Sequence, residues 1–198
     1  MHPTPITLTG QYVRLEPLAL SHLAGLQEAV KDGELWRLWY TMVPHPDQMA
    51  AEIERRLGLQ AQGLMLPFAV IDTQRQQVAG MTTYMNIDSA NRRLEIGSTW
   101  YRQSLQRTAL NTECKRMLLG HAFEQLDCIA VEFRTHWHNT ASRRGIERLG
   151  AKLDGVLRSH QIAANGSLRD TCVYSIVASE WPAVRAHLDH ALSAPRRP

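Results

Sequence analysis

Three stretches carry residue types at spacings that chemistry can use. The first spans 93–126, RLEIGSTWYRQSLQRTALNTECKRMLLGHAFEQL. Residues 94–101 are rich in β-branched and aromatic side chains and read as a strand, and helical spacing takes over from Leu110. Between them lies a polar connection, 103–108, with Arg102 and Arg107. A strand that enters a basic turn and then a helix start aims free backbone N–H groups at one point. The helix dipole adds positive potential there, so the place suits a phosphate. The second stretch holds Asn139 and Ser142, which at i and i+3 share a helix face. By themselves they read as an N-cap and a small first-turn residue. The third is His136 and His138, two apart and so on one face of a continuing strand. No Cys, His or acidic partner stands at ligand spacing, so they read as a partly exposed structural pair, and no metal is expected. Trp36 and Trp39 add a fourth feature: either core packing or the aromatic wall of an acceptor pocket.

These groups need a frame to position them. Residues 12–18 alternate as a first strand, stopped by Pro17. Ser21 is the expected cap of a helix to about Lys31, with Leu23, Leu26, Ala29 and Val30 as its buried stripe and Asp32-Gly33 as its end. Pro44 and Pro46 break the chain, and Asp47 is the expected cap of a second helix to about Gln62. Residues 68–72 and 77–87 read as strands joined by a polar turn, with Gly80 marking a bulge or a close approach. The long helix after the basic turn buries Leu110, Cys114, Met117, Leu118, Ala122 and Leu126. Its Glu113, Lys115, Arg116 and Glu124 are expected mostly on the other side. Residues 128–135 form another strand, and Asn139 caps a helix that turns Ile146 and Leu149 inward before Gly150. A hairpin of 151–162 and 171–177 turns at Asn165-Gly166, and a last helix runs from Glu180-Trp181-Pro182 to about Leu192. Residues 1–10 and 193–198 read as loose ends. The predicted order is α/β, with a mainly antiparallel central run.

At 198 residues the chain is expected to form one domain, 1–198, large enough to bury its own core. It is 44% hydrophobic and 21% charged, without a membrane-length apolar run or a signal-peptide segment in residues 1–11, so a cytoplasmic location is expected. Three widely separated cysteines fit a reducing compartment. The net charge of +3 is compatible with an anionic ligand, and its dispersed arginines argue against nucleic-acid binding.

The strand–turn–helix resembles the acyl-CoA-binding core of the GCN5-related N-acetyltransferases (GNAT), in particular the branch of the ribosomal-protein N-terminal acetyltransferases (RimJ/RimL-like). That core carries a turn (Gln/Arg)-x-x-Gly-x-(Gly/Ala). Here it reads Ser104-Leu105-Gln106-Arg107-Thr108-Ala109, where Ala109 fits and Ser104 and Arg107 depart. The run Asn-Thr-Glu-Cys-Lys at 111–115 and His-Asn-Thr-Ala-Ser at 138–142 extend the likeness, which covers most of the chain. The resemblance implies the GNAT α/β fold, a mixed and mainly antiparallel sheet flanked by helices. It also implies an acetyl-CoA-dependent N-acetyltransferase acting on a primary amine: a protein or peptide N-terminus, an amino acid or a small amine. Acetyl-CoA would be the co-substrate, held in a gap between the strands at 94–101 and 129–135, with its pyrophosphate at 104–109. The carrier-binding positions are then Ser98, Thr99, Trp100, Tyr101, Gln106, Arg107, Thr108, Ala109, Asn111 and Asn139. Glu95, followed by Ile96 as in the histone-acetyltransferase branch, would deprotonate the amine through water. Its other reading is a solvent-facing carboxylate paired with Arg92 or Arg93. Ser142 would protonate the departing sulfur, since the tyrosine that many members use falls at Ile146. The alternative is a CoA-binding module that has lost turnover. The resemblance leaves a homodimer open.

Overall fold

The computed structural model describes residues 3–194. Eight strands form one sheet in the order β1-β2-β3-β4-β5-β6-β8-β7. They are β1 (Leu8–Thr9), β2 (Val13–Pro17), β3 (Met65–Asp72), β4 (Gln77–Asp88), β5 (Arg93–Tyr101), β6 (Ala130–His136), β7 (Lys152–Ile162) and β8 (Leu168–Val177). Every neighbouring pair is antiparallel except β5–β6. Five helices cover it: α1 (Leu23–Lys31), α2 (Met49–Ala61), α3 (Ala109–Gly120), α4 (Thr140–Arg148) and α5 (Trp181–Ser193). The mixed, mainly antiparallel sheet with flanking helices is the architecture expected.

Strand alternation sorts the side chains into two cores. Leu15, Phe68, Tyr84, Leu94, Ile96 and Phe133 face α3, α4 and α5, where they meet Leu110, Leu118, Ile146 and Trp181. Ala69, Ile71, Met81 and Trp100 face α1 and α2, against Leu26, Val30, Met49 and Ile53. Gly80 is both a bulge neighbour and a close approach: the β3–β4 register slips there, and a Cβ would stand 2.0 Å from the Trp100 carbonyl oxygen.

Several local expectations change. The lead-in is not loose throughout, because Leu8–Thr9 pairs with β2 and the N–H groups of Gln11, Tyr12 and Val13 donate to the Glu113 carboxylate at 2.6–2.8 Å. Glu113 and Lys115 are therefore buried rather than outward. Glu113 is covered by the entry to β2 at the start of the helix, and Lys115 lies on the sheet side of α3, its Nζ on Thr99 and Thr82. Neither Ser21 nor Asp47 caps its helix: α1 and α2 start from His22 and Gln48 without a side-chain cap, each led in by a short 3-10 turn in which His22 Nδ1 accepts from Ala19 N–H and His45 Nδ1 from Asp47 N–H. α5 reaches Ser193; of the expected loose ends, residues 1–2 and 195–198 lie outside the described residues.

Candidate active site at the parted strands

β5 and β6 run side by side for three residue pairs only, Arg93↔Ala130, Leu94↔Val131 and Glu95↔Glu132. Both strands continue, to Tyr101 and His136, with no further pairing between them. Unpaired strand edges present backbone N–H and C=O groups, so the parted ends make a slot suited to an extended amide-containing chain. β5 also carries an extra residue there. Thr83 faces Gly97 and Met81 faces Trp100, so Thr82 alone opposes Ser98 and Thr99. Ser98 takes φ +48 and is exposed, as a bulge on the slot's edge.

The carrier-binding candidates divide by position. The Thr99 hydroxyl is 2.7 Å from that of Thr82, on the α3 side. Trp100 and Tyr101 are buried in the two cores, Tyr101 with its hydroxyl on Cys114 Sγ at 3.3 Å, so only their backbone can serve the slot. Thr108 caps α3, its Oγ1 accepting from Leu110 N–H at 3.3 Å. Ala109 opens the helix and is buried, Asn111 is partly exposed in its first turn, and Gln106 reaches back to the Tyr101 carbonyl at 3.4 Å. Arg107 occupies the motif's glycine position at φ +60, so it adopts the left-handed backbone that glycine takes more easily. The turn thus keeps its shape without its glycine. The N-terminus of this 12-residue helix has the polarity that suits a phosphate oxygen, though its Leu110 N–H already bonds Thr108. A cleft of about 490 Å³ also touches Thr108 and Ala109, but it opens towards Tyr12 and Arg75 on the β2–β3 side, away from β6.

Glu95 is 5% exposed and, since Leu94 and Ile96 face α3, it points to the α1–α2 side of the sheet. It accepts from Asn86 Nδ2 at 2.7 Å and lies 3.6 Å from Arg134 Nε. Neither suggested partner holds it: Arg92 pairs with Asp127, and Arg93 with Glu132 at 2.7 Å. Burial pushes its carboxyl up, against the pull of Asn86 and Arg134. A carboxylate so placed is a stronger base than a solvated one.

Asn139 and Ser142 do meet: the Asn139 Oδ1 accepts the Ser142 backbone N–H at 3.1 Å, which is the N-cap of α4. Ile146 and Leu149 anchor α4 on the α3 side of the sheet. Glu95 and Ser142 therefore flank the slot from opposite faces, and no contact joins them. Trp36 packs into the core as expected of one reading, with its ring 5.1 Å from His45. Trp39 fits the other: it is 51% exposed and stands edge-on to His136 at 5.0 Å, with Tyr40 beside it. His136 and His138 rings are 5.6 Å apart, and among the described residues no group of three or more His, Cys, Asp or Glu could hold a metal.

Sequence reasoning missed Arg134, because a strand arginine announces nothing until its neighbour across the sheet is known. It missed Lys115 as well, although that residue has no opposite charge at i±3 or i±4 to keep it on a solvated face.

Residues 13–152 match the family model described as an acetyltransferase (GNAT) domain. A GCN5-related N-acetyltransferase from Brucella melitensis superposes with a TM-score of 0.86 at 34% identity, over 98% of this chain and 88% of that one. Mycobacterium smegmatis RimJ in complex with CoA-disulfide gives 0.80 at 25% identity, over 96% and 97%. YdaF of Bacillus subtilis (strain 168), named provisionally as a ribosomal N-acetyltransferase, is 32% identical over 104 residues, 52% of this chain and 56% of that protein.

Proposed function

The chain belongs to the GNAT acetyltransferase family, whose members use acyl-CoA, and we propose that it transfers an acetyl group from acetyl-CoA to a primary amine. The observation that carries this is the slot itself, with a buried, raised carboxylate on one face and a capped helix N-terminus at its end. Acetyl-CoA supplies the activated thioester. The β5 edge at Ser98–Tyr101 holds the pantetheine arm, and its N–H groups stabilise charge on the carbonyl oxygen. The turn from Gln106 to Ala109, with Asn111, receives the pyrophosphate, and Asn139 supports the arm from α4. Glu95 takes the amine's proton through a water. Ser142 offers a hydrogen bond to the departing sulfur, a role that Ile146 cannot fill.

The acceptor enters on the Glu95 face, past Trp39 and Tyr40. A ribosomal protein is the acceptor class that the name of one relative, YdaF, favours, and its N-terminus is the primary amine to try first; amino acids and small amines remain in the test. A second reading, a CoA-binding module without turnover, is favoured by Ile146 alone. A thermal-shift titration with acetyl-CoA, followed by CoA release over a panel of peptides, amino acids and amines, separates them. Carrier at ~100 times its dissociation constant is expected to stabilise the fold by about 2.7 kcal/mol. No shift overturns both readings; a shift without CoA release from any amine leaves the second.

A further inference from the structure

Two charges of α3, Glu113 and Lys115, are buried without an ion pair among the described residues, and the second has only hydroxyl partners. Lys115 is 6% exposed, and its Nζ donates to Thr99 Oγ1 at 2.8 Å and to Thr82 Oγ1 at 3.3 Å. The two hydroxyls also bond each other at 2.7 Å. Among the described residues no carboxylate pairs with the ammonium. Glu113, two positions earlier, spends both carboxylate oxygens on the N–H groups of Gln11, Tyr12 and Val13. Burial brings the Lys115 pKa down to about 8, so it stays mostly protonated at pH 7. A buried cation with only hydroxyl partners costs stability, and a methionine would fill the same space without that cost. On this balance stability does not account for the ammonium.

Its location suggests what does. Thr82 and Thr99 face each other across the bulge in β5, beside the extra residue Ser98 at φ +48. The ammonium and the two hydroxyls form a closed set of three hydrogen bonds over that irregular point, on the edge that borders the slot. We propose that Lys115 is a positioning residue for acetyl transfer: by holding Thr99 against Thr82 it fixes the bulged backbone of β5, and with it the N–H groups aimed at the thioester oxygen. This rests on the transfer reading above. N–H donors aid a developing charge only where they are already held, so loosening them acts on the transition state more than on binding.

The test uses Lys115→Met, Thr99→Val and the double variant in the full chain. Lys115→Met is expected to melt at or above the wild-type temperature. Its acetyl-CoA dissociation constant, measured by calorimetry, should stay within about threefold, while kcat on an amine the wild type accepts falls about tenfold. Thr99→Val should lower kcat similarly. The double variant should lose no more than the worse single one, because Lys115 acts through Thr99. Wild-type kcat in Lys115→Met overturns the inference, and so do additive losses, which would place the effect of the ammonium elsewhere. Should Lys115→Met fail to fold, the ammonium is part of the fold and the inference falls; wild-type kcat in Thr99→Val sinks it independently. Absence of carrier binding and transfer in the wild type is a different result, since it overturns the transfer reading first.

Discussion

Burial raises the Glu95 carboxyl above its ordinary range, and two consequences follow with opposite signs. For stability, a carboxyl raised by folding helps only while protonated, and that help is lost as pH rises through its folded pKa. Glu95→Gln is therefore expected to leave the protein as stable as wild type or more so at pH 7. For turnover the charged form is the useful one, so wild-type kcat should climb as pH rises through the same pKa. In Glu95→Gln that limb should vanish, with kcat down about a hundredfold near pH 7 and the deficit shrinking as the amine sheds its own proton at higher pH. A pH–rate profile checks both; unchanged neutral turnover would remove Glu95 from the mechanism. Ser142 and Asn139 should separate differently. Ser142→Ala is expected to lower kcat about tenfold, the worth of a lost bond of ~1.4 kcal/mol, with carrier affinity intact. Asn139→Ala should weaken the carrier and loosen the α4 cap by about 1 kcal/mol, visible as a lower melting temperature. Asn139 was legible because a cap is local chemistry. The burial of Glu95 was not, since it depends on Asn86 and Arg134 arriving from neighbouring strands.

Among the elements, α3 departs furthest from its helical pattern. Its apolar positions are where the spacing puts them, yet Glu113 is inside, binding three consecutive backbone N–H groups at the start of β2. The sequence marks Glu113 as a helix-surface charge, and nothing local says that the entry to β2 will cross above it. Glu113→Ala is expected to cost about 2–3 kcal/mol, since charge-assisted bonds to buried donors are lost without replacement. In a chain of this size that lowers the melting temperature by roughly 5–10 °C, and a wild-type melt would refute the clamp. The turn before α3 makes a complementary case. The motif asks for glycine where Arg107 stands, and the backbone there is left-handed all the same. Arg107→Gly should hold the turn with a gain under about 1 kcal/mol, because relief of the left-handed conformation is partly offset by glycine's freedom in the unfolded chain. Its acetyl-CoA affinity should fall no more than about fivefold, the measure of one exposed charge contact. A hundredfold loss in calorimetry would instead make the guanidinium the main phosphate ligand.

On the scale of the whole molecule, a mainly antiparallel run was legible, and every neighbouring pair but β5–β6 is antiparallel. The insertion of β8 between β6 and β7 was not, because a hairpin's pattern does not say which of its strands will dock. Nor does any residue type announce that β5 and β6 will pair for three positions and then part. That parting is, in mechanical terms, a notch. A sheet bends most easily where it is cut, so flexing of β1–β5 against β6–β8–β7 should concentrate at Glu95 and Glu132, and each such flexing widens or narrows the opening. Amides at the last paired residues, Leu94, Val131 and Glu132, are then expected to exchange with deuterium faster than those of β3 and β4 in the free protein, and to slow when acetyl-CoA lies in the notch. The same compliance that admits the carrier would be what the carrier removes, so the enzyme is stiffest when it is ready to react.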